Sequence, residues 1–142
     1  MEDSQAVWEC LDSMSIFDKL HSGEIYDPAD KEIMEIQLKC LDKLYEFNQT
    51  RPTELEKRQI LLKEMFASIG ENCYIEPPFH ANWGCNMHVG KNFYSNFNLT
   101  VVDDADIYIG DSVMIAPNVV LATAAHPICP ELRERVYQYN LS

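Results

Sequence analysis

The 142-residue chain carries 23 acidic residues against 11 lysines and arginines, a formal charge of −12 with a pI near 4.6. That excess of carboxylates argues against nucleic acid and anionic membranes as partners, since both are bound through basic patches. Apolar residues make up 46% of the chain, enough for the core of a single small domain, and no apolar run approaches the roughly 20 residues of a membrane span.

The amino terminus lacks the basic, apolar, small-residue pattern of a secretory signal. Five cysteines (Cys10, Cys40, Cys73, Cys85 and Cys129) form no CxxC pair and leave an odd one over. Reduced thiols and a cytoplasmic location are therefore expected.

Residues 1–48 hold twelve of the acids and four lysines, and they read as helical. A loose amphipathic stretch covers residues 4–20 through Val7, Leu11, Ile16 and Leu20. Asp27 is the expected cap of a second helix, with Pro28 in its first turn and Asp30 near its positive end. Ile33, Ile36, Cys40, Leu44 and Phe47 then recur at helical spacing, so one stripe must be buried, and Arg51-Pro52 closes the element. Thr53-Glu54-Leu55-Glu56 reads as a capping box for a third helix, with Leu61, Leu62, Met65, Phe66 and Ile69 apolar and Gly70 as its stop. These stripes are core, and residues 1–70 form a helical amino-terminal segment.

From Glu71 to Ser142 helical spacing vanishes and a six-residue beat replaces it. Ile109, Ile115 and Leu121 are six apart, with Val113 and Val119 four residues after the first two. Val89, Ser95 and Val101 repeat the beat, with Phe93 and Leu99 in the secondary positions and Ser95 as a polar member. Val89-Gly90 and Ile109-Gly110 make the same aliphatic-glycine start, 20 residues apart: three hexads plus a two-residue insertion near Asp103–Asp106. Such a chain folds as a three-sided coil whose key residues point inward and stack from coil to coil. A β-sandwich with turns every 8–12 residues is the alternative. The matched secondary positions favour the coil. The last residues, Tyr139-Asn140-Leu141-Ser142, carry no closing signal.

Ten segments in order carry a resemblance: Arg51–Arg58, Leu62–Phe66, Gly70–Asn72, Glu76–Pro78, Asn86–Gly90, Asn92–Tyr94, Asn96–Thr100, Val102–Asp104, Ile115–Asn118 and His126-Pro127. Together, from about Gly23 to Tyr139, they resemble the galactoside and maltose O-acetyltransferases, and the galactoside branch most of all. The resemblance implies a mainly β chain: a left-handed parallel β-helix of hexapeptide repeats behind a helical amino-terminal segment, incomplete at its carboxy end. It also implies a cytoplasmic homotrimer with sites between subunits, acetyl-coenzyme A as cosubstrate, a galactoside, maltose or glucose hydroxyl as acceptor, and no metal. Further coils, absent from these 142 residues, would grip the pantetheine and phosphates. From Glu71 onward the only lysines and arginines are Lys91, Arg133 and Arg135, so weak coenzyme binding by this stretch alone is expected. The competing expectation is a non-catalytic remnant that binds sugar weakly or serves assembly.

Acetyl transfer to a hydroxyl needs a base and donors aimed at the oxyanion on the thioester carbonyl. Histidine suits the first task. His21 reads as a helix-end residue, His88 as a solvent-facing coil residue, and His80 as part of an irregular entry loop. His126 follows small residues, Leu121-Ala-Thr-Ala-Ala125, and precedes Pro127, which holds it extended. By resemblance His126 is the general base, so no cysteine nucleophile is needed. Asn96 matches an active-site asparagine that would meet the oxyanion and the coenzyme thioester. Asp104 matches an acceptor-binding carboxylate, although a solvated turn in Asp103–Asp106 would also explain it. Tyr94 would line the sugar pocket. Asn82 stands where the galactoside enzymes carry a serine, and Asp27 flanks the position of an amino-terminal substrate carboxylate.

Overall fold

The computed structural model describes residues 15–141, so Val7, Cys10 and Leu11 lie outside the described part. Helix α1 (Ile16–His21) is capped by the Ser15 hydroxyl, which accepts from the Asp18 N–H at 3.2 Å. Its Leu20 is completely buried.

Helix α2 (Lys31–Asn48) begins later than expected. Its cap is Asp30, whose carboxylate accepts from the Glu32 N–H at 3.0 Å. Asp27 instead closes a tight turn by accepting from Ala29 N–H at 2.9 Å, which places Pro28 before the helix rather than in it. The expected stripe is otherwise present: Ile33, Leu44 and Phe47 are buried and Ile36 and Cys40 partly so.

Helix α3 (Leu55–Met65) has no side-chain cap, and the Thr53 box does not form. The Glu54 carboxylate reaches back to the Arg51 N–H at 2.6 Å, satisfying a donor ahead of Pro52 and shifting the start by a residue. Phe66 is already extended, so Ile69 belongs to a strand and Gly70 to a coil corner, not to a helix stop. The coil takes Ile69 because its register puts it directly beneath Val89.

The coil is built from nine short strands: β1 (Ser68–Ile69), β2 (Tyr74–Ile75), β3 (His80–Ala81), β4 (Met87–Val89), β5 (Tyr94–Ser95), β6 (Thr100–Val102), β7 (Ile107–Ile109), β8 (Met114–Ile115) and β9 (Val120–Ala122). They form three parallel sheets, β1-β4-β7, β2-β5-β8 and β3-β6-β9. Each of β1 to β6 pairs with the strand 20 residues further on. The two residues beyond three hexads fall at one corner, at 103–106 as expected and also at 83–86.

The register stacks Ile69 on Val89 and Ile109, Ile75 on Ser95 and Ile115, and Ala81 on Val101 and Leu121. Ser95 is tolerated in this column, fully buried, because its hydroxyl donates to the Asn96 carbonyl at 3.0 Å. The corners need left-handed backbone, and polar residues supply it: Asn72, Asn92, Asn98, Ser112 and Asn118 all have positive φ. Two asparagine ladders join the coils, Asn72 to Asn92 at 3.3 Å and Asn98 to Asn118 at 3.1 Å. In the last coil Ile109, Val113, Ile115, Val119 and Leu121 are only partly buried.

The aliphatic-glycine starts exist for a steric reason. A Cβ on Gly90 would overlap the Asp111 carboxylate and lie 2.7 Å from its amide nitrogen. Gly90→Ala therefore forces adjacent coils apart, and we expect a loss of about 2 kcal/mol, read as a lower denaturation midpoint. Gly110→Ala in the same 142-residue chain, with nothing within 4 Å of the added carbon, serves as the silent control.

After β9 the chain forms β10 (Ala124–Ala125), the short helix α4 (Pro130–Arg133) and β11 (Tyr139–Asn140). The final residues, without a legible closing signal, pair antiparallel with β10, Ala124 opposite Asn140 and Ala125 opposite Tyr139. Gln138 also bridges to Tyr26.

Candidate active site

The two long corners of the coil lie one above the other, and their side chains interlock. Asp104 is 5% exposed, and both of its oxygens have donors from the coil before it. Asn82 Nδ2 donates to Oδ2 at 2.9 Å and Trp83 Nε1 to Oδ1 at 3.0 Å. Asp104 is thus a buried, oriented carboxylate rather than a solvated turn residue, and Asn82 is its direct partner.

Asp103 is completely buried and accepts from the Trp83 and Gly84 amides at 2.9 and 2.6 Å. Burial pushes its carboxyl up to about 6, against the lowering effect of those two amides. The Asn86 amide donates to the Asp103 carbonyl at 2.7 Å, closing the corner.

Strand β11 ties this corner to the amino-terminal segment. Asn140 Nδ2 donates to the carbonyls of Leu20 and Asp104 at 2.8 and 3.0 Å, while its Oδ1 accepts from the Tyr26 hydroxyl at 3.2 Å. Gln138 Nε2 donates to the Tyr26 oxygen at 2.7 Å. Burial, and then the nearby Asp104 charge, push the Tyr26 phenol well above its ordinary value. Tyr26, Trp83, Asp103, Gln138 and Asn140 were missed by sequence reasoning, since each gains its partner across a long loop and no local spacing marks it. Asn140→Ala strands two buried carbonyls and should cost about 2 kcal/mol. Thermal denaturation checks the cost.

The segment leading into the same strand orients His126. Its Nδ1 lies 2.7 Å from the Tyr137 carbonyl oxygen, which can only accept, so the neutral ring carries its proton there. Nε2 keeps its lone pair on an exposed ring. Arg133 donates to the Pro127 carbonyl at 3.3 Å and Arg135 lies 6.0 Å from the Tyr137 ring centre, so two cations flank the His126 loop.

The other candidates divide. Asp27 is exposed, next in the chain to the buried Tyr26, and its described side-chain bond is to the Ala29 N–H. Asn96 and Tyr94 belong to the second sheet, and no hydrogen bond among the described residues joins Asn96 to His126 or Asp104. Asn96 Oδ1 accepts from the Phe97 N–H at 2.8 Å, so its amide nitrogen is the part of the side chain that could donate to a ligand. Tyr94 is half-buried and stacked on Tyr74, ring centres 6.3 Å apart.

His80 sits in a regular strand, β3, not an irregular loop. His88 is half-buried rather than free in solvent, stacked on Tyr108 with its Nε2 2.9 Å from Asp106. His21 ends α1, its Nδ1 on the Phe17 carbonyl and its Nε2 3.2 Å from the same Asp106. Among the described residues, no group of three or more His, Cys, Asp or Glu is placed to hold a metal ion, and no helix is long and apolar enough to cross a membrane.

Residues 19–70 match the maltose acetyltransferase hexapeptide capping motif. The galactoside O-acetyltransferase of Lactococcus lactis is 47% identical over 92% of this chain and 63% of its own length. A solved galactoside acetyltransferase in complex with coenzyme A superposes with a TM-score of 0.84 at 44% identity, over 90% of this chain and 64% of that one. The maltose O-acetyltransferase of Clostridium difficile superposes at 0.86 and 36% identity, over 90% and 68%. The chain thus spans somewhat under two thirds of the length of the curated galactoside O-acetyltransferase it matches. A left-handed parallel β-helix behind a helical cap, matched on this scale, makes the chain a member of the galactoside and maltose O-acetyltransferase family of hexapeptide-repeat acyltransferases.

Proposed function

We propose that this chain provides the acceptor side and the general base of an acetyl-coenzyme A-dependent O-acetyltransferase acting on a sugar hydroxyl. The observation that carries the reading is the His126 ring, held at Nδ1 by the Tyr137 carbonyl with Nε2 available. Nε2 takes the proton from the acceptor hydroxyl as that oxygen attacks the acetyl carbonyl, and the coenzyme thiol leaves with a proton returned to it. Transfer is direct, without an acetyl-enzyme.

Asn96 donates its amide N–H to the oxyanion that develops on the thioester carbonyl. Asp104, oriented by Asn82 and Trp83, accepts from acceptor hydroxyls, with Asn82 contributing a second polar contact. Tyr94 and Asp27 border the sugar pocket. Asn96 follows β5 of the second sheet and His126 follows β10, with no hydrogen bond between them among the described residues, which supports a homotrimer whose sites pair His126 of one copy with Asn96 of another; a cytoplasmic location goes with that reading. Lys91, Arg133 and Arg135 are the cations of the coil region available to coenzyme phosphates.

A second reading is a non-catalytic sugar-binding or assembly element, favoured by the partly buried last coil. Release of free thiol from acetyl-coenzyme A separates the two, with isopropyl thiogalactoside, maltose and glucose as acceptors. The measurement is made on the 142-residue chain and on a chain lengthened past Ser142. Acceptor-dependent release in either supports the enzyme, and Asn96→Ala should lower it about 100-fold. No release in both overturns the enzyme reading.

A further inference from the structure

Two thiols outside the site described above meet in space. Cys40, on α2, and Cys85, in the corner 83–86, line one cavity of about 160 Å³ together with Ile36, Lys43 and Met65. Both are half-buried and neither is in a disulfide. Both pack against the cluster of Leu20, Tyr26, Ile33 and Trp83. The two thiols therefore face the same small space between α2 and the corner, and each perturbs the titration of the other. The remaining described cysteines turn elsewhere: Cys73 is buried and donates to the Gly90 carbonyl at 3.1 Å, and Cys129 donates to the Glu131 carboxylate at 2.8 Å.

We propose that Cys40 and Cys85 form a peroxide-sensitive pair that closes to a reversible disulfide, fastening α2 to the corner that holds Asp103 and Asp104. The target of that fastening is specific. The backbone amides of Trp83 and Gly84 hold the Asp103 carboxylate, and the Trp83 indole holds Asp104. A covalent tie at Cys85 restrains all three contacts at once.

Cys40 is the attacking sulfur. The neighbouring Cys85 thiol, helped by the Lys43 ammonium, holds the Cys40 thiol below the ordinary range against the effect of burial, whereas the Cys40 sulfur and then burial hold the Cys85 thiol above it. The Cys40 thiolate displaces an alkoxide from a hydroperoxide. The O–O bond breaks, a Cys40 sulfenic acid forms, and the alkoxide leaves as the alcohol with a solvent proton. Cys85 sulfur then attacks the Cys40 sulfur, its own proton going to the departing hydroxide as water. Two thiols lose two electrons in all, and the hydroperoxide is reduced to alcohol and water. A resolving thiol in the same cavity stops the oxidation before the sulfinic stage.

Hydrogen peroxide on the full chain tests this, read by peptide mapping without reduction. The expected product is a dithiothreitol-reversible link between the peptides holding Cys40 and Cys85, with two of the five thiols lost. The denaturation midpoint should rise by about 5 °C when the bridge closes. Cys40→Ser and Cys85→Ser must each abolish the link, and Cys129→Ser must leave it intact. In Cys85→Ser, dimedone should label Cys40. Peroxide that leaves all thiols free, or that oxidises Cys40 without joining it to Cys85, overturns the proposal. Because the readout is a cross-link and not turnover, its failure is separate from any failure of the acetyltransferase reading.

Discussion

His126→Ala should lower acceptor-dependent thiol release by about 1000-fold, roughly 4 kcal/mol of transition-state stabilisation, with little change in KM for the acceptor. The split between kcat and KM follows from the geometry. The ring is exposed and its one described hydrogen bond is to a backbone carbonyl, so removing it disturbs neither the Asp104–Asn82 contact nor the buried corner. What is lost is the proton acceptor alone, which matters only once the hydroxyl begins to attack. Circular dichroism and the denaturation midpoint should match the parent chain. A variant that keeps more than a tenth of the parent rate would show that the proton goes elsewhere.

That residue could be picked out because a His-Pro after a run of small residues resembles a family motif, but its mechanism could not be read from the same letters. The tautomer is set by the Tyr137 carbonyl, eleven residues away and on the far side of α4. The carbonyl is in position because β11 pairs with β10, and Asn140 holds β11 down with bonds to Leu20 and Asp104, 120 and 36 residues distant. Polar side chains that become buried by long-range pairing have no period and no neighbour rule. For this reason the chain's last residues looked featureless. The Asp103–Asp106 corner looked solvated for a related reason, since its donors come from Trp83 and Asn82 in the previous coil.

The coil itself was far more legible. Its repeat is translational, so a stacked column demands aliphatic residues at fixed spacing, and the 20-residue step shows directly in Gly90 and Gly110. Ser95 fits because its hydroxyl has a carbonyl within reach in the next residue. Helix boundaries were less legible. Asp27 and Asp30 are both good caps, and only the observed turn at Ala29 distinguishes them. Ile69 satisfies helical spacing and coil spacing equally, and the contact with Val89 decides in favour of the coil.

Asp103 should give the protein an unusual acid response. Its carboxyl is ordinarily near 3.8 and is raised to about 6 when folded, chiefly by burial. Between those values the native chain binds the proton and the unfolded chain does not, so stability from this group is greatest below about pH 4 and is lost as pH rises through 6. The shift corresponds to about 3 kcal/mol. Asp103→Asn isolates this contribution, since the amide mimics the neutral acid and cannot ionise. Its one cost that does not vary with pH is the Trp83 or Gly84 N–H left facing an amide nitrogen, about 1–3 kcal/mol. The stability of Asp103→Asn relative to the parent should therefore improve by about 2.4 kcal/mol from pH 4 to pH 7. Asp103→Ala removes the acceptor for both N–H groups and should lose about 4 kcal/mol at low pH. Urea unfolding of the three proteins at several pH values gives the comparison. A parent-to-Asn difference that is flat across that range would mean the two backbone amides outweigh burial and keep Asp103 ionised in the fold.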